Sequence, residues 1–197
     1  NMSISGETID YGPCAFMDAY DPKTVFSSID QLGRYAYENQ PQITKWNLTR
    51  FAECLIPLIS KNEDEAIKLA TDALDKFEKN YEKKWLNMMR DKLGLYGQDK
   101  EDKNLIIELL DWMQKNKVDY TNTFVFLMNK KIKDSEAYND TDFDLWKIKW
   151  VKRLTMFGNS HDKSIELMNS NNPMVIPRNY KVEEALTLAS NGDLTLF

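Results

Sequence analysis

Hydrophobic side chains recur every three or four positions along most of the chain after Pro41, which is the spacing of one face of an α-helix. We interpret these stripes as core positions, because aromatic and methionine side chains at this spacing usually pack inside a helical protein. The pattern predicts six helices, whose stripes run from Ile43 to Leu58, Ala66 to Met89, Leu105 to Met113, Tyr120 to Met128, Phe143 to Phe157 and Val182 to Ala189.

The ends of the second predicted helix carry recognisable signals. Asn62 and Glu65 have the spacing of a capping box at its start, and Gly94 follows its last apolar residue as a C-terminal cap. Acidic residues cluster near the start and basic residues near the end, which suits the helix dipole. These features predict one long helix.

The first 41 residues are different, since they hold three of the seven glycines and three of the six prolines. The run Ser3 to Tyr11 alternates around Gly6 and predicts a short β-hairpin-like element, followed by an irregular loop. We therefore expect a mainly α fold with two parts. Residues 1–41 form a strand and loop segment, and residues 42–197 form a helical lobe.

Composition and charge narrow the class of protein. Hydrophobic residues make up 42% and charged residues 29% of the chain, as in soluble globular proteins, and the net charge of −5 argues against a nucleic-acid partner. No apolar run approaches the roughly 20 residues that span a bilayer, so no membrane partner is expected. Cys14 and Cys54 have no metal-ligand spacing, and we expect reduced thiols in a cytoplasmic protein. The chain begins with Asn1, so we expect it to start inside a longer protein.

Most residue patterns that could indicate a catalytic, metal or phosphate site are incomplete in this sequence. His161 is the only histidine and lies in a polar stretch, where we expect a solvated loop residue. Asp140, Asp142 and Asp144 resemble half of a calcium loop, but the glycine and glutamate that such a loop needs are missing, so we predict a charged helix start. No glycine-rich phosphate loop of the GxxxxGK[ST] or GxGxxG type occurs.

One stretch near the start of the chain could bind a metal ion. Asn1 is followed nine positions later by Asp10-Tyr11-Gly12. In kinase-like enzymes an Asn and the Asp of a D-F-G element hold divalent metal against nucleotide phosphates, and Mg²⁺ prefers such hard oxygen donors. The spacing of Asn1 and Asp10 alone is weak evidence for a metal site. By itself it favours a β-turn with Asp10 as a surface carboxylate.

Several separated motifs nevertheless share one resemblance. The run NMSISGETIDYGPCAFMDAYDP is similar to the D-N-M-S-I-x-G-x-T-I-D-Y-G-P segment, and its continuation, of the SelO/YdiU (selenoprotein O) family. Further stretches that resemble the family in the same order are Gly33 to Tyr37, Asn39 to Pro41, Trp46 to Arg50, Asp119 to Phe124, and Asn171 to Pro173 with Arg178 to Tyr180. These separated motifs lie in register and run from residue 1 to about residue 193.

The resemblance implies a protein-kinase-like fold, of which this chain would be the C-lobe. The family, long viewed as pseudokinases, is understood to transfer AMP from ATP to hydroxyl side chains of proteins. Asn1 and Asp10 match its metal ligands, so Mg²⁺ or Mn²⁺ is the implied cofactor, and ATP and protein substrates are the implied partners.

The same comparison shows what this chain lacks. The family's proposed general base is the Asp immediately before Asn1. Further upstream lie the family's nucleotide-binding Lys, the acidic residue that pairs with this Lys, and the arginines that bind the phosphates. No catalytic residue is therefore expected here, and we predict that the chain alone is inactive. A protein phosphotransferase on the same fold and a non-catalytic helical interaction module are the alternatives.

Overall fold

A computed structural model describes residues 3, 5–7, 15–132 and 135–196, with only the backbone of Ser135. Its helices are α1 (Gln40–Ile59), α2 (Glu63–Lys92), α3 (Asp102–Asn116), α4 (Tyr120–Leu127), α5 (Thr141–Leu154), α6 (His161–Asn171) and α7 (Asn179–Ser190), with short 3₁₀ turns at Tyr37–Asn39 and Ser135–Tyr138. The prediction of a mainly helical chain is confirmed. No helix in this part of the chain is long and apolar enough to cross a membrane.

The predicted hairpin is not seen. Across the described residues no strand forms, and the single β-bridge joins Ala19 to Asp119 in antiparallel fashion. Much of the stretch from Ser3 to Tyr11 lies outside the described residues. Where it is described, Gly6 has a φ of +74° and its N–H donates to the carbonyl of Ser3 at 3.3 Å, which is the geometry of a turn.

One helix, α6, was absent from the sequence prediction. His161, expected in a loop, is its first residue, although the expectation of an exposed side chain is correct. Ser160 is the N-cap, and its hydroxyl accepts a hydrogen bond from the backbone N–H of Lys163 at 3.4 Å. The helix escaped notice because Ser164 occupies one of its two fully buried positions, Met168 being the other.

Contacts divide the described residues into two compact units. The first contains residues 3, 5–7 and 22–87, and the second contains residues 15–21 and 88–196. The division falls inside α2, between Asn87 and Met88. The predicted boundary after residue 41 stays a prediction.

The second unit has a dense core around α3 and α5. The indole N–H of Trp146 donates to the carbonyl of Leu105 at 2.8 Å, and that of Trp150 donates to the carbonyl of Leu93 at 2.9 Å. Each buried indole thus gains a partner for its polar atom, which removes the penalty of burying it. The buried apolar residues of α3, α4 and α5 are Leu105, Ile106, Leu109, Leu110, Trp112, Met113, Phe124, Val125, Leu127, Phe143, Trp146, Trp150 and Leu154.

The first unit buries far less. Within residues 22–87, all of which the structure describes, only Ala36 and Ala66 are buried. Helix α1 forms where its apolar stripe predicts, but none of its twenty residues is buried, and Leu58 is 80% exposed. A periodic stripe indicates which face can be covered and does not indicate what covers it.

Candidate functional site

The predicted metal ligands Asn1 and Asp10 lie outside the described residues, so their positions stay predictions. Among the residues that are described, no three His, Cys, Asp or Glu side chains are grouped so as to hold a metal ion. The chain becomes continuously described at Ala15, five residues after Asp10. We call residues 15–21 the 15–21 segment.

Backbone hydrogen bonds fix the 15–21 segment against the start of α4. Around the Ala19–Asp119 bridge, the N–H of Tyr20 donates to the carbonyl of Val118 at 2.9 Å, and the N–H of Tyr120 donates to the carbonyl of Asp18 at 2.8 Å. The Tyr20 and Tyr120 rings stack with centroids 5.7 Å apart. This pairing explains why Tyr20 is buried although it lies in irregular chain.

Helix α7 holds the same segment from a second direction. The side-chain amide of Asn179 donates to the carbonyl of Phe16 at 2.9 Å, and its oxygen accepts from the N–H of Phe16 at 3.3 Å. An asparagine side chain offers one donor and one acceptor in a plane, so it can pair with a backbone as another strand would.

Arg178, the N-cap residue of α7, joins these elements through its guanidinium. Its Nη1 donates to Asp18 Oδ1 at 2.5 Å and to Asp119 Oδ2, and its Nη2 donates to Asp119 Oδ1 at 3.2 Å and Asn122 Oδ1 at 3.3 Å. The hydrogen bond to Asp119 raises the pKa of Arg178, burial lowers it, and the bond to Asp18 raises it further. We call Arg178, Asp18, Asp119 and Asn122 the Arg178 cluster.

Asp119 also begins α4, whose apolar stripe the sequence predicted from Tyr120 to Met128. Its Oδ1 accepts a hydrogen bond from the backbone N–H of Asn122 at 2.7 Å, which is the geometry of an N-cap. The Thr123 hydroxyl donates to the Asp119 carbonyl at 2.7 Å and lies 3.0 Å from the Tyr138 hydroxyl. The Asp119-to-Phe124 motif is therefore a helix start on which the 15–21 segment rests.

Asn172 has a related structural role at the ends of two helices. Its buried side-chain amide donates to the carbonyl of Lys92 at 2.8 Å and to that of Met168 at 2.9 Å. Both carbonyls lie in last turns, where intrahelical partners are lacking. The Asn171-Asn172-Pro173 motif thus ties the end of α2 to the end of α6.

The buried ammonium group of Lys92 lies over aromatic rings. Its Nζ is 4.3 Å from the Phe124 ring centroid and 5.5 Å from that of Tyr120, and the residue is only 9% exposed. Burial lowers the pKa of Lys92 to about 8. The ammonium group of Lys92 is therefore surrounded by aromatic rings rather than by water, unlike that of a surface lysine.

Comparison with known protein sequences shows the family of this chain. The family model described as "Protein adenylyltransferase SelO" matches residues 1–197. The chain belongs to this family. A protein nucleotidyltransferase YdiU from Pelagibacter ubique (strain HTCC1062) is 84% identical over 197 residues, which are all of this chain and 41% of that protein.

More distant members of the SelO family also match this chain over nearly all of its length. The YdiU nucleotidyltransferase of Alkaliphilus metalliredigens (strain QYMF) is 53% identical over the whole chain, and that of Nitrosococcus oceani is 50% identical over 99% of it. The chain spans about two fifths of the length of these relatives. The resemblance predicted from the motifs is confirmed.

Sequence reasoning missed the Arg178 cluster in this SelO family chain. It recognised Asp18, Asp119 and Arg178 only as parts of separate motifs and assigned them no joint role. The separations of 160 residues between Asp18 and Arg178 and 59 between Asp119 and Arg178 carry no periodic signal. One feature shared by the motifs could have indicated the cluster: each contains charged or amide side chains to which the sequence analysis assigned no partner.

A second buried charge cluster was also missed. Asp102 accepts hydrogen bonds at 2.6 Å from Nε of both Arg90 and Arg153, and its side chain is fully buried. Burial alone would raise the pKa of Asp102, but hydrogen bonds from Arg153, the Asp99 backbone and Arg90 together lower it. Arg153 also donates to the Tyr96 carbonyl at 3.0 Å, so this cluster fixes the α2–α3 loop rather than a reactive centre.

The first unit organises its own family motifs locally. The Asp30 carboxylate accepts from the backbone N–H groups of Arg34 at 2.8 Å and Tyr35 at 2.7 Å. The Asn39 amide donates to the Gly33 carbonyl at 2.8 Å, and the Arg34 guanidinium lies 4.7 Å from the Trp46 ring centroid. These contacts shape the loop that leads into α1.

Proposed function

We propose that this chain is part of a protein adenylyltransferase that transfers AMP from ATP to Ser, Thr or Tyr hydroxyls of other proteins. The match of the family model to every residue of the chain carries the proposal. The names of the relatives support nucleotide transfer as the reaction class. The choice of AMP and of protein hydroxyls rests on the family resemblance.

The proposed reaction is a displacement at the α-phosphorus. The substrate hydroxyl oxygen forms a bond to the α-phosphorus, and the bond from that phosphorus to the oxygen bridging to the β-phosphate breaks, so pyrophosphate leaves. The hydroxyl proton passes to the Asp that the family carries immediately before Asn1. That base lies outside this chain, and we therefore propose that the 197 residues alone do not catalyse transfer.

Asn1 and Asp10 are the residues proposed to hold Mg²⁺ or Mn²⁺. One amide oxygen and one carboxylate are donors of the hard type that these ions prefer, so the donor set fits. The bound ion would neutralise charge that develops on the phosphate oxygens. The described helices supply no phosphate-binding loop, so this chain's proposed part is to position the acidic ligand and to form the lobe that carries it.

Radiolabel transfer by the full-length protein tests the proposal. With α-³²P-ATP, divalent metal and a cell extract, we expect label on protein, and we expect Asp10→Ala to lower it by at least roughly a hundredfold. The matched control is Asp193→Ala, which removes an exposed carboxylate that accepts a hydrogen bond from the N–H of Thr195. The 197-residue chain under the same conditions is expected to transfer nothing.

Each alternative gives a different labelling result. Transfer of label from γ-³²P-ATP but not from α-³²P-ATP, dependent on Asp10, would identify a phosphotransferase. Absence of both labels, or equal labelling by wild type and Asp10→Ala, would contradict the metal site and favour a non-catalytic interaction module.

A further inference from the structure

Helices α1 and α2 form a hairpin with an apolar groove between them. Residues 60–62 join the helices at one end, and towards the other end Lys45 Nζ of α1 donates to Glu78 Oε1 of α2 at 2.7 Å. The groove has a volume of about 520 Å³, and its lining includes Leu48, Phe51 and Leu55 from α1 and Leu69, Ala73 and Phe77 from α2. All of these residues belong to the first unit, so the groove is a feature of that unit alone. We call it the α1–α2 groove.

The α1–α2 groove presents almost entirely apolar side chains. Among its lining residues, all of which the structure describes, Asn80 is the one polar residue. Phe51 is 44% exposed and Leu69 is 50% exposed, so much of this apolar surface faces water. Sites for small ligands place several polar groups that fix the orientation of the ligand, whereas this groove has a single amide. The groove therefore fits an apolar protein surface better than it fits a small molecule.

With the groove open, the first unit has little to hold it folded. Ordering the chain costs conformational entropy at every residue, and burial of apolar side chains is the main compensation. Within residues 22–87 only Ala36 and Ala66 are buried, and two alanine side chains bury little area. A cover over the groove would supply the missing burial. Such a cover is needed whenever the unit is folded, which favours a part of the same protein over a partner that binds only at times.

The full-length protein has enough chain to supply this cover. The present chain spans 41% of the Pelagibacter ubique YdiU nucleotidyltransferase, so about three fifths of that relative's length lies elsewhere. A segment of the same polypeptide is tethered to the groove, and a short tether gives an effective concentration on the order of millimolar. A second copy of the protein in dilute solution does not reach that concentration. The tethered segment is therefore the favoured occupant.

The arrangement of the lining residues indicates the shape of the occupant. The apolar positions run from Leu48 to Ile59 on α1 and from Leu69 to Phe77 on α2. At a rise of about 1.5 Å per residue, the stripe on α1 is about 16 Å long. Side chains of a third helix can pack into the space between two neighbouring helices, and roughly three helical turns cover this length. The groove therefore fits one apolar face of a helix.

We propose that the α1–α2 groove is the docking surface for an apolar helix face that belongs to the other three fifths of the full-length protein. This contact attaches the first unit to the rest of the polypeptide and gives the unit the core that its own residues do not form. The inference is independent of the proposed function, since it uses only burial, side-chain chemistry and chain length.

The reactivity of a thiol placed in the groove of the full-length protein tests the proposal. Phe51→Cys places it there, and Val151→Cys on α5 is the matched control, because Val151 is 47% exposed and Phe51 is 44% exposed. N-ethylmaleimide should alkylate position 51 at least roughly tenfold more slowly than position 151, because alkylation must wait for the cover to open. Mass spectrometry resolves these sites from native cysteines such as Cys54. If Phe51→Cys does not fold, Leu69→Cys on the other wall of the groove should show the same protection.

Two results of the alkylation experiment would overturn the proposal. Equal rates at positions 51 and 151 would mean that the groove is covered no more than an ordinary helix surface. Protection that increases with protein concentration would identify a second copy of the protein as the occupant.

A photo-cross-link identifies the occupant directly. With p-benzoylphenylalanine in place of Phe51 in the full-length protein, light joins this position to the groups that lie against it, and mass spectrometry locates them. We expect cross-links within one polypeptide, to residues outside the 197 of this chain, at positions three or four apart as on one helix face. Cross-links only to residues of this chain, cross-links between two polypeptides, or captured residues at the alternating spacing of a strand would each contradict the proposal.

Discussion

At the scale of single residues, Lys92 gives the clearest dependence on pH. Burial lowers its pKa from 10.5 to about 8, so below pH 8 the folded state holds a desolvated cation that the unfolded state keeps in water. The unfolded chain binds more protons between pH 8 and 10.5, and the free energy of unfolding therefore rises with pH across that window. The Phe124 and Tyr120 rings offset part of the cost.

We predict that Lys92→Met is more stable than wild type at pH 7, by about 1–2 kcal/mol. The advantage should shrink as pH rises from 8 towards 10.5, because the wild-type lysine is then neutral in the folded state and the free-energy cost of removing its proton falls. Urea unfolding followed by tryptophan fluorescence at several pH values measures the difference. Lys181→Met, at an exposed position, should show no such trend, and an advantage for Lys92→Met that is constant with pH would contradict the assignment.

Gly94 is the other residue whose surroundings set a sharp expectation. It has a φ of +70°, and a Cβ added there would lie 2.7 Å from the backbone oxygen of Ser164 and 3.0 Å from Met168 Cγ. A backbone oxygen inside a helix cannot move aside easily. The glycine therefore serves both the left-handed turn after α2 and the close approach of α6.

Gly94→Ala should therefore lower the free energy of unfolding by more than the strain of a left-handed backbone conformation alone would. Gly158→Ala is the control, since Gly158 has a φ of +69° and open space around its Cβ position. We expect a loss of about 1 kcal/mol for Gly158→Ala and about 3 kcal/mol for Gly94→Ala, from the free energies of unfolding in urea. Equal losses would show that the contact with Ser164 relaxes at little cost.

At the scale of elements, the sequence predicted helices where apolar periodicity was long and unbroken. Asp140 begins α5 as predicted, with its carboxylate accepting from the N–H of Phe143 at 2.9 Å and from the Trp112 indole at 2.7 Å. Helix α6 was missed because Ser164, one of its two buried residues, gives no hydrophobic signal. Its N-cap, Ser160, was the one local signal that could have found it.

The candidate site was predictable only in part, because sequence patterns record contacts between neighbouring residues and not contacts between distant ones. The cap at Asp119 is within reach of local rules, because it is a contact between residues three positions apart. The Arg178 cluster and the Asp102 cluster join residues far apart in sequence, and no periodicity records such a contact. The family motifs contained Asp18, Asp119 and Arg178 but did not pair them, and the residues of the Asp102 cluster were not singled out at all.

At the scale of the whole molecule, burial differs greatly between the two units. Helix α1 has no buried residue, whereas seven of the fifteen residues of α3 are buried. Backbone hydrogen bonds open more often where few apolar contacts hold them, so stability against local opening should follow burial. The difference should be visible even along α2, which has Ala66 as its only buried residue before Met88 and has Met89, Arg90 and Lys92 buried after it.

Hydrogen–deuterium exchange of the purified 197-residue chain measures this directly. We predict that amides of α1 exchange at least roughly a hundredfold faster than those of α3, because a difference in opening free energy of about 3 kcal/mol corresponds to that ratio. Peptides from the first half of α2 should exchange faster than those around Met89. Helix α2 serves as its own control, since both halves share one helix and one sample. Uniform protection of α1 and α3 would mean that the apolar stripe of α1 is covered in solution, and a rise in α1 protection in the full-length protein would show that the rest of that protein supplies the cover.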